Sequence, residues 1–289
     1  MSEELELLAR QVALRLRRLQ GAHDKQYVRV GNAPAGVAPS AVAAPQSAAP
    51  SPAAGAQRSP SPNAGKSVDA KAALRSQAES WSAATKLEYL RKKNVGDCRR
   101  CGLCQTRQNI VFGVGDAEAK IMLVGEAPGA DEDRTGEPFV GRAGQELDQW
   151  ISDLGMSRED FYIANVLKCR PPGNRDPLPQ EVERCSPFLR AQIRAIGPAV
   201  VVGLGRHAGM LLSRRDDMSL RAMRGARLEY DATSPKEPPR SMMIPLVVTY
   251  HPAYILRQSG DAQSDAVAKV MTDLRRAQDI AKQSRRDTR

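Results

Sequence analysis

The sequence predicts an α/β fold: a three-layer α/β/α domain with a mostly parallel four-stranded central sheet, preceded by a disordered N-terminal region. Short apolar runs, of the kind that form strands buried on both faces, alternate with segments of helical periodicity in the later part of the chain. This alternation is typical of a parallel sheet that is covered by helices on both faces. Residues 31–68, by contrast, are dominated by Ala, Pro, Ser and Gly.

The N-terminal region predicts a docking element on a tether. Residues 1–20 carry Leu, Ala and Val at helical spacing, which predicts an isolated amphipathic helix that could contact a protein partner. Residues 21–77 hold too few large apolar side chains to offset the entropy of ordering them, so we expect a disordered tether. The folded domain is predicted over 78–289.

The net charge and the hydropathy of the sequence indicate which class of partner the protein binds and in which cellular compartment it is expected. Lys and Arg outnumber Asp and Glu by 43 to 33, and the resulting net charge of +10 favours a polyanion such as nucleic acid. No apolar run reaches the roughly 18 residues of a membrane span. The N-terminus begins with acidic residues and lacks the apolar core of a signal peptide. We therefore expect a monomer in the cytoplasm, associated with the nucleoid and not with a membrane.

The elements follow one another in regular alternation. Four apolar runs predict buried strands, over 121–124, 161–167, 199–204 and 246–249. Helical periodicity predicts helices over 78–93, 143–154, 180–196, 205–212 and 266–281. The polar segment 223–230 predicts a short strand or hairpin arm.

Three of the predicted strands run into loops that are rich in Gly, Pro and polar residues. The carboxyl ends of parallel strands meet at one rim of a sheet, where open α/β folds bind ligands. The longest of these loops follows residue 124 and reads GEAPGADEDRTGEPFVGRAG. Its glycines allow the backbone to approach a ligand closely, and Phe139 offers a flat stacking surface. The sequence therefore predicts one site at this rim.

The five cysteines predict a metal centre, because disulfides are rare in a reducing compartment. Cys98 and Cys101 have the C-x2-C spacing at which one turn directs two thiolates at one metal, and Cys104 follows. Cys169 and Cys185 lie far away in sequence, so tertiary structure must complete the site. Structural zinc and a [4Fe–4S] cluster both accept four thiolates. The spacing leaves both open, along with free buried cysteines and the identity of the spare thiol.

Three motifs carry a resemblance to a known family. They are GEAPGADEDRTGEPFVGRAG at 125–144, NVLKCRPPGNRDPLP at 165–179 and HPAYILR at 251–257. Together with the cysteine spacing they closely resemble the family-4 uracil-DNA glycosylases, the iron–sulfur branch of that superfamily. The resemblance runs from about residue 98 to residue 257 and does not cover residues 1–85. It implies a [4Fe–4S] cluster held by Cys98, Cys101, Cys169 and Cys185, with Cys104 as the extra thiol.

The resemblance also implies a pocket for a uracil base that has been flipped out of DNA. Glu126, Ala127 and Gly129 would lie in the loop beneath the base, and Phe139 would stack on it. Asn165 would read the uracil edge, since its amide offers an acceptor for N3–H and a donor for O4. Cytosine inverts this pattern and would leave buried groups mispaired.

Glu126 and His251 are the candidate catalytic residues. Cleavage leaves negative charge on the departing base, and His251 could stabilise it as a donor to O2. The most active related glycosylases place an Asp in the first loop to orient water, whereas this chain has Ala127. Glu126, or water held by the backbone, is then the candidate for water activation. His207 is interpreted as the start of a helix, without a role in the site.

Three arginines, Arg170, Arg175 and Arg257, are predicted to contact DNA phosphates. The predicted function is that of a hydrolase that releases uracil from single- and double-stranded DNA and so starts base excision repair. The alternatives are a non-hydrolytic DNA-binding or cross-linking member of the superfamily, and a glycosylase for another deaminated base. The cross-linking branch carries a His-containing insertion near the second motif, and NVLKCRPPGNRDP shows no such insertion.

Overall fold

The computed structural model describes residues 77–233, 237–238 and 240–287. The predicted helix over 1–20 and nearly all of the predicted tether over 21–77 lie outside this part of the chain. Within it, the predicted α/β fold is confirmed, because a central sheet carries helices on both faces. None of the described helices is long and apolar enough to cross a bilayer.

The central sheet has six strands, so the predicted number of four is wrong. The strands are β1 (Val114–Gly115), β2 (Ile121–Gly125), β3 (Phe161–Asn165), β4 (Val200–Leu204), β5 (Leu228–Asp231) and β6 (Met243–Thr249), in the spatial order β1-β3-β2-β4-β6-β5. The four inner strands are the four predicted ones, and they are parallel to one another. The two additional strands are short edge strands, and both pair antiparallel.

The helices occupy the segments between the strands. They are α1 (Ala83–Tyr89), α2 (Ala130–Thr135), α3 (Arg142–Asp153), α4 (Pro179–Ile196), α5 (Arg206–Ser213), α6 (Leu220–Gly225), α7 (Pro252–Ile255) and α8 (Gly260–Asp287). A π-helical segment, Leu90–Val95, continues α1, and a short 3-10 helix, Pro172–Asn174, precedes α4. The segment 223–230, predicted as a strand or hairpin arm, contains both the end of α6 and most of β5.

Two apolar layers hold the helices against the sheet. Side chains alternate along a strand, so Met122 and Val124 face one layer while Ile121 and Leu123 face the other. Helices α1, α4, α5 and α6 pack in the first layer, and α3, α7 and α8 pack in the second. The result is the predicted three-layer arrangement, with inner strands that are buried on both faces.

The carboxyl ends of the inner strands are aligned at one rim. Gly125 at the end of β2 pairs with Asn165 at the end of β3, and Leu204 at the end of β4 pairs with Thr249 at the end of β6. The hydrogen bonds between β2 and β3 continue for two residues past the strands, from Val166 N to Gly125 O and from Leu167 N to Glu126 O. The loops after all four strands therefore begin at the same level.

Candidate functional site

A cleft of about 800 Å³ opens at this rim. All six predicted pocket residues line it, together with two of the three predicted DNA-contacting arginines: Glu126, Ala127, Gly129, Phe139, Asn165, His251, Arg175 and Arg257. These residues end or follow three of the four inner strands, β2, β3 and β6, so the cleft depends on the register of the parallel sheet. Their roles toward a ligand stay predictions.

Asn165 forms the floor of the cleft and has an unpaired acceptor. The residue is 2% exposed, and its Oδ1 has no hydrogen-bond partner among the described residues. Opposite it, a Cβ atom at Gly125 would lie 2.3 Å from Oδ1 of Asn165 and 2.6 Å from Cζ of Phe139. Glycine at this position therefore leaves room for both side chains. A buried acceptor without a partner is uncommon, and it indicates a donor that arrives with a ligand.

Phe139 is held in a strained backbone conformation beside this floor. Its φ angle is +54°, in the left-handed region that side chains other than glycine rarely adopt. Arg158 Nη2 stabilises the turn by donating to the carbonyl oxygens of Pro138, at 2.6 Å, and Phe139, at 3.1 Å. Glycine at position 144 allows the backbone to lie close to Phe139, because a Cβ there would lie 1.9 Å from the Phe139 carbonyl oxygen. The ring centroid of Phe139 lies 5.8 Å from that of His251.

His251 is the N-cap residue of α7, and its tautomer follows from that position. The backbone N–H of Ala253 donates to Nδ1 at 3.1 Å, so Nδ1 is the acceptor and the neutral ring carries its proton on Nε2. Burial lowers the pKa of His251 to about 4, and the charge of Arg257 acts in the same direction. The ring is therefore neutral at neutral pH, with an N–H group available as a donor. Gly205 allows β4 to approach it, since a Cβ there would lie 2.9 Å from the Cβ of His251.

Glu126 has a partner that the sequence interpretation missed. His207 Nδ1 lies 2.9 Å from Glu126 Oε2 and 3.4 Å from Asp176 Oδ1. Burial raises the pKa of Glu126; His207 opposes this rise, and Asp176 adds to it. His207 lies at the second residue of α5, directly after the carboxyl end of β4. That position was the available signal, because this strand reaches the same rim as the other three. Glu126, Asp176 and His207 each offer one atom that could bind a metal, and these three atoms lie within 4.8 Å of one another, a spacing that would also admit a cation.

Glu132 holds the first loop and was also missed. Its carboxylate accepts hydrogen bonds from the backbone N–H groups of Gly129, Val140 and Gly141, at 3.0, 3.1 and 3.2 Å. Both ends of the loop are thereby tied to the first turn of α2. A Cβ at Gly129 would lie 2.7 Å from Glu132 Oε2, so glycine is required for this approach. The acidic run that begins α2 is thus partly structural.

The predicted DNA-contacting arginines have different surroundings. Arg257 lines the cleft. Arg175 also lines it, but its guanidinium makes two hydrogen bonds with the Glu181 carboxylate, at 2.9 and 2.6 Å. Arg170 does not line the cleft and donates from Nε to Asn174 Oδ1 at 2.7 Å.

Four of the five cysteines line one small cavity next to β3. They are Cys98, Cys101, Cys169 and Cys185, and Cys104 is not part of the lining. Arg107 Nη1 donates to the Cys169 thiol at 3.7 Å, and the backbone N–H of Lys168 donates to the Cys185 thiol at 3.2 Å. Burial raises the pKa of Cys169 to about 12.

Two kinds of centre are compatible with these thiols. Within the described residues, no three of these sulfur atoms lie within 4.8 Å of one another. Zinc and a [4Fe–4S] cluster both accept four thiolates, so the lining of the cavity by itself is compatible with either centre.

Comparisons with known proteins find relatives in one family. The family model described as the uracil DNA glycosylase superfamily matches residues 112–275, which is more than half of the chain. A type-4 uracil-DNA glycosylase of Archaeoglobus fulgidus is 44% identical over 167 residues, covering 57% of this chain and 80% of the relative. One of Thermotoga maritima is 38% identical over 190 residues, covering 66% and 92%. One of Saccharolobus solfataricus is 42% identical over 166 residues, covering 56% and 74%.

Proposed function

This chain belongs to the uracil DNA glycosylase superfamily, and from that premise we propose that it is a uracil-DNA glycosylase, a hydrolase that removes uracil from DNA. The observation that carries the proposal is the buried, unpaired Oδ1 of Asn165 at the floor of the cleft. This acceptor matches the N3–H of uracil. Removal of the base leaves an abasic site and so starts base excision repair.

Base recognition would take place outside the duplex. A base inside a helix cannot reach the floor of a cleft, so the target nucleotide must be flipped out. Phe139 would stack on the base, Asn165 Oδ1 would accept from N3–H, and the Asn165 amide would donate to O4. Cytosine has an acceptor at N3 and a donor at C4, and each mispaired buried group costs about 1–3 kcal/mol. The site would therefore discriminate against cytosine.

His251 would stabilise the departing base. When the N1–C1′ bond breaks, its electron pair stays on uracil and the negative charge spreads to O2. The neutral imidazole can donate its Nε2–H to that oxygen without first gaining a proton, because Nδ1 is already occupied by the Ala253 N–H. A water molecule forms the new bond at C1′, and one of its protons passes to the carboxylate of Glu126. The uracil anion then takes up a proton at N1 and Glu126 releases its proton to solvent, so that the products are neutral uracil and an abasic sugar.

We also propose that the four cysteines bind a [4Fe–4S] cluster. The cavity that they share, together with the resemblance of the cysteine spacing to that of the iron–sulfur glycosylases, supports this assignment. Arg107 and the buried Lys168 place positive charge beside the thiols, as an anionic cluster requires. The cluster would connect the segment around Cys98 to α4 and to the end of β3.

For the substrate, we propose uracil-containing DNA in single- or double-stranded form, bound by a monomer at the cytoplasmic nucleoid. The net charge of +10 supports a polyanionic partner. Arg257 is the candidate for phosphate contact at the cleft, whereas the engagement of Arg175 by Glu181 argues for a structural role of that arginine.

The direct test is uracil release from oligonucleotides that contain a single uracil, measured by chromatography of the free base without added metal or nucleotide. We expect stoichiometric uracil and an alkali-labile site, and no release from a cytosine-containing control. A stable protein–DNA band on a denaturing gel, without free uracil, would instead establish the cross-linking alternative.

A further inference from the structure

Three groups from three separate elements converge at one end of the cleft. Glu126 follows β2, Asp176 lies in the loop before α4, and His207 begins α5. His207 lies between the two carboxylates and uses the same nitrogen, Nδ1, toward both. A neutral ring that contacts two acceptors through Nδ1 must carry its proton there, so His207 is the donor in these contacts.

We propose that His207 is a positioning residue, which holds the Glu126 carboxylate ionised and oriented to accept the proton of the attacking water. The proposal rests on the function proposed above and assigns a residue that the sequence motifs do not contain. His207 acts through Glu126 and need not touch the substrate.

The hydrogen-bond geometry supports this role. His207 binds Glu126 through Oε2 alone, and Oε1 makes no hydrogen bond with any of the described residues. The Glu126 side chain lines the cleft and is 23% exposed, so a water molecule can reach its carboxylate. One oxygen is thus fixed and the other is left for proton transfer, which is the arrangement that an orienting group gives a general base.

The charges around Glu126 act in opposite directions. Burial favours the protonated carboxyl, which cannot accept a proton; the contact with His207 favours the ionised form, and the charge of Asp176 disfavours it. Two arginines, Arg175 and Arg206, also line the cleft. The guanidinium of Arg175 is hydrogen-bonded to the Glu181 carboxylate. His207 and Asp176 should therefore have opposite effects on the pH at which Glu126 becomes active.

The opposite assignment of roles, with His207 as the base and Glu126 as the positioning residue, is also chemically reasonable, and it leads to a different prediction. Glu126 could orient His207 so that the unprotonated Nε2 of the imidazole accepts the water proton. Under that assignment the ring itself is indispensable. Under our proposal only a donor at the position of Nδ1 is needed, and the side-chain amide of Asn offers a donor close to that position.

The experiment measures the single-turnover rate of uracil release against pH for wild type and three variants, His207→Ala, His207→Asn and Asp176→Asn. Asp216→Asn serves as a charge-matched control, since Asp216 is exposed and does not line the cleft. Affinity for abasic DNA and the thermal unfolding midpoint are measured in parallel to verify binding and folding.

We expect His207→Ala to lower the rate at neutral pH by about ten- to a hundredfold, the range for a lost hydrogen bond to a charged group. The rate falls as Glu126 gains its proton, so this acid limb should move to higher pH in His207→Ala. It should move to lower pH in Asp176→Asn and stay in place in Asp216→Asn. His207→Asn should recover most of the rate, and abasic-DNA affinity should be unchanged throughout.

Two results would overturn the proposal. His207→Asn could be as slow as His207→Ala, which would make the imidazole the base, or the acid limb could stay in place in both His207→Ala and Asp176→Asn. A wild-type protein that releases no uracil would instead contradict the proposed function itself, so the two failures are distinguishable.

Discussion

The ammonium group of Lys168 donates a hydrogen bond of 2.8 Å to the main-chain carbonyl oxygen of Asn165. Lys168 is buried, and its own backbone N–H donates to the thiol of Cys185. The residue that supports the end of β3 is therefore also in contact with the cysteine cavity. This single residue connects the floor of the cleft, through its side chain, to the proposed cluster site, through its backbone N–H.

Replacing Lys168 should disturb the position of Asn165, which forms the floor of the cleft. Lys168→Met keeps the length of the side chain but removes the donor to Asn165, and we expect single-turnover uracil release to fall by about tenfold or more. Lys120→Met is the matched control, because Lys120 is exposed and carries the same charge. A wild-type rate in Lys168→Met would show that the carbonyl contact does not position Asn165.

The tight approach of β2 to β3 gives a second prediction. In Gly125→Ala the new Cβ would lie too close to Asn165 Oδ1 and Phe139 Cζ, so one of these side chains must move out of position. We expect uracil release to fall by at least about a hundredfold, while overpacking costs about 1–3 kcal/mol in unfolding free energy. Gly225→Ala is the control, since a Cβ there would meet no atom within 4 Å. Near-wild-type kinetics in Gly125→Ala would contradict the proposed arrangement of the floor.

The neutral state of His251 predicts a pH dependence of stability. Its pKa is lowered from 6.5 to about 4 in the folded protein, so the unfolded chain binds the proton more readily. The stability contributed by this group is present above the unfolded pKa and is lost as pH falls toward the folded one. Between about pH 7 and about pH 5 the loss should be about 2 kcal/mol.

Chemical denaturation of wild type and His251→Gln at both pH values measures the pH-dependent contribution of His251 to the free energy of unfolding, because glutamine does not titrate. We expect the wild type to lose about 2 kcal/mol more than the variant. Equal losses in the two proteins would mean that His251 is not held neutral by burial.

The cysteines predict a pattern of iron binding. Cys185→Ser should lose the cluster and lower the unfolding temperature, whereas Cys104→Ser should retain about four iron atoms per chain and the wild-type activity. The measurement is iron content and visible absorbance of protein purified without oxygen. Loss of iron in Cys104→Ser, with retention in Cys185→Ser, would reassign the ligands.

The sequence revealed those parts of the fold that carry a local pattern. The inner strands were predictable because each is a continuous apolar run, whereas β1 has only two residues and owes its pairing to the neighbouring β3. Helix α2 was missed because its acidic first turn, Asp131 to Asp133, is typical of a solvated loop. The structure uses Glu132 and Asp133 instead to bind backbone N–H groups.

The sequence predicted those residues of the candidate site that lie in a motif. It did not predict the contacts that depend on tertiary structure. Asn165 and His251 line the cleft as expected from their strand-end positions. His207 belongs to no motif, and its contact with Glu126 spans 81 residues of sequence. The engagement of Arg175 by Glu181 likewise depends on how the loop before α4 folds back on the helix.

In the proposed function, Asn165 Oδ1 accepts the N3–H of uracil. The most direct test of this contact compares single-turnover release of uracil and of N3-methyluracil, which lacks this donor, by wild type and Asn165→Ala. We expect wild type to favour uracil by at least about a hundredfold, and Asn165→Ala to release both bases slowly with little preference. If Asn165→Ala instead releases uracil at the wild-type rate and keeps the full preference, another group recognises the base and Asn165 Oδ1 is not the acceptor of N3–H.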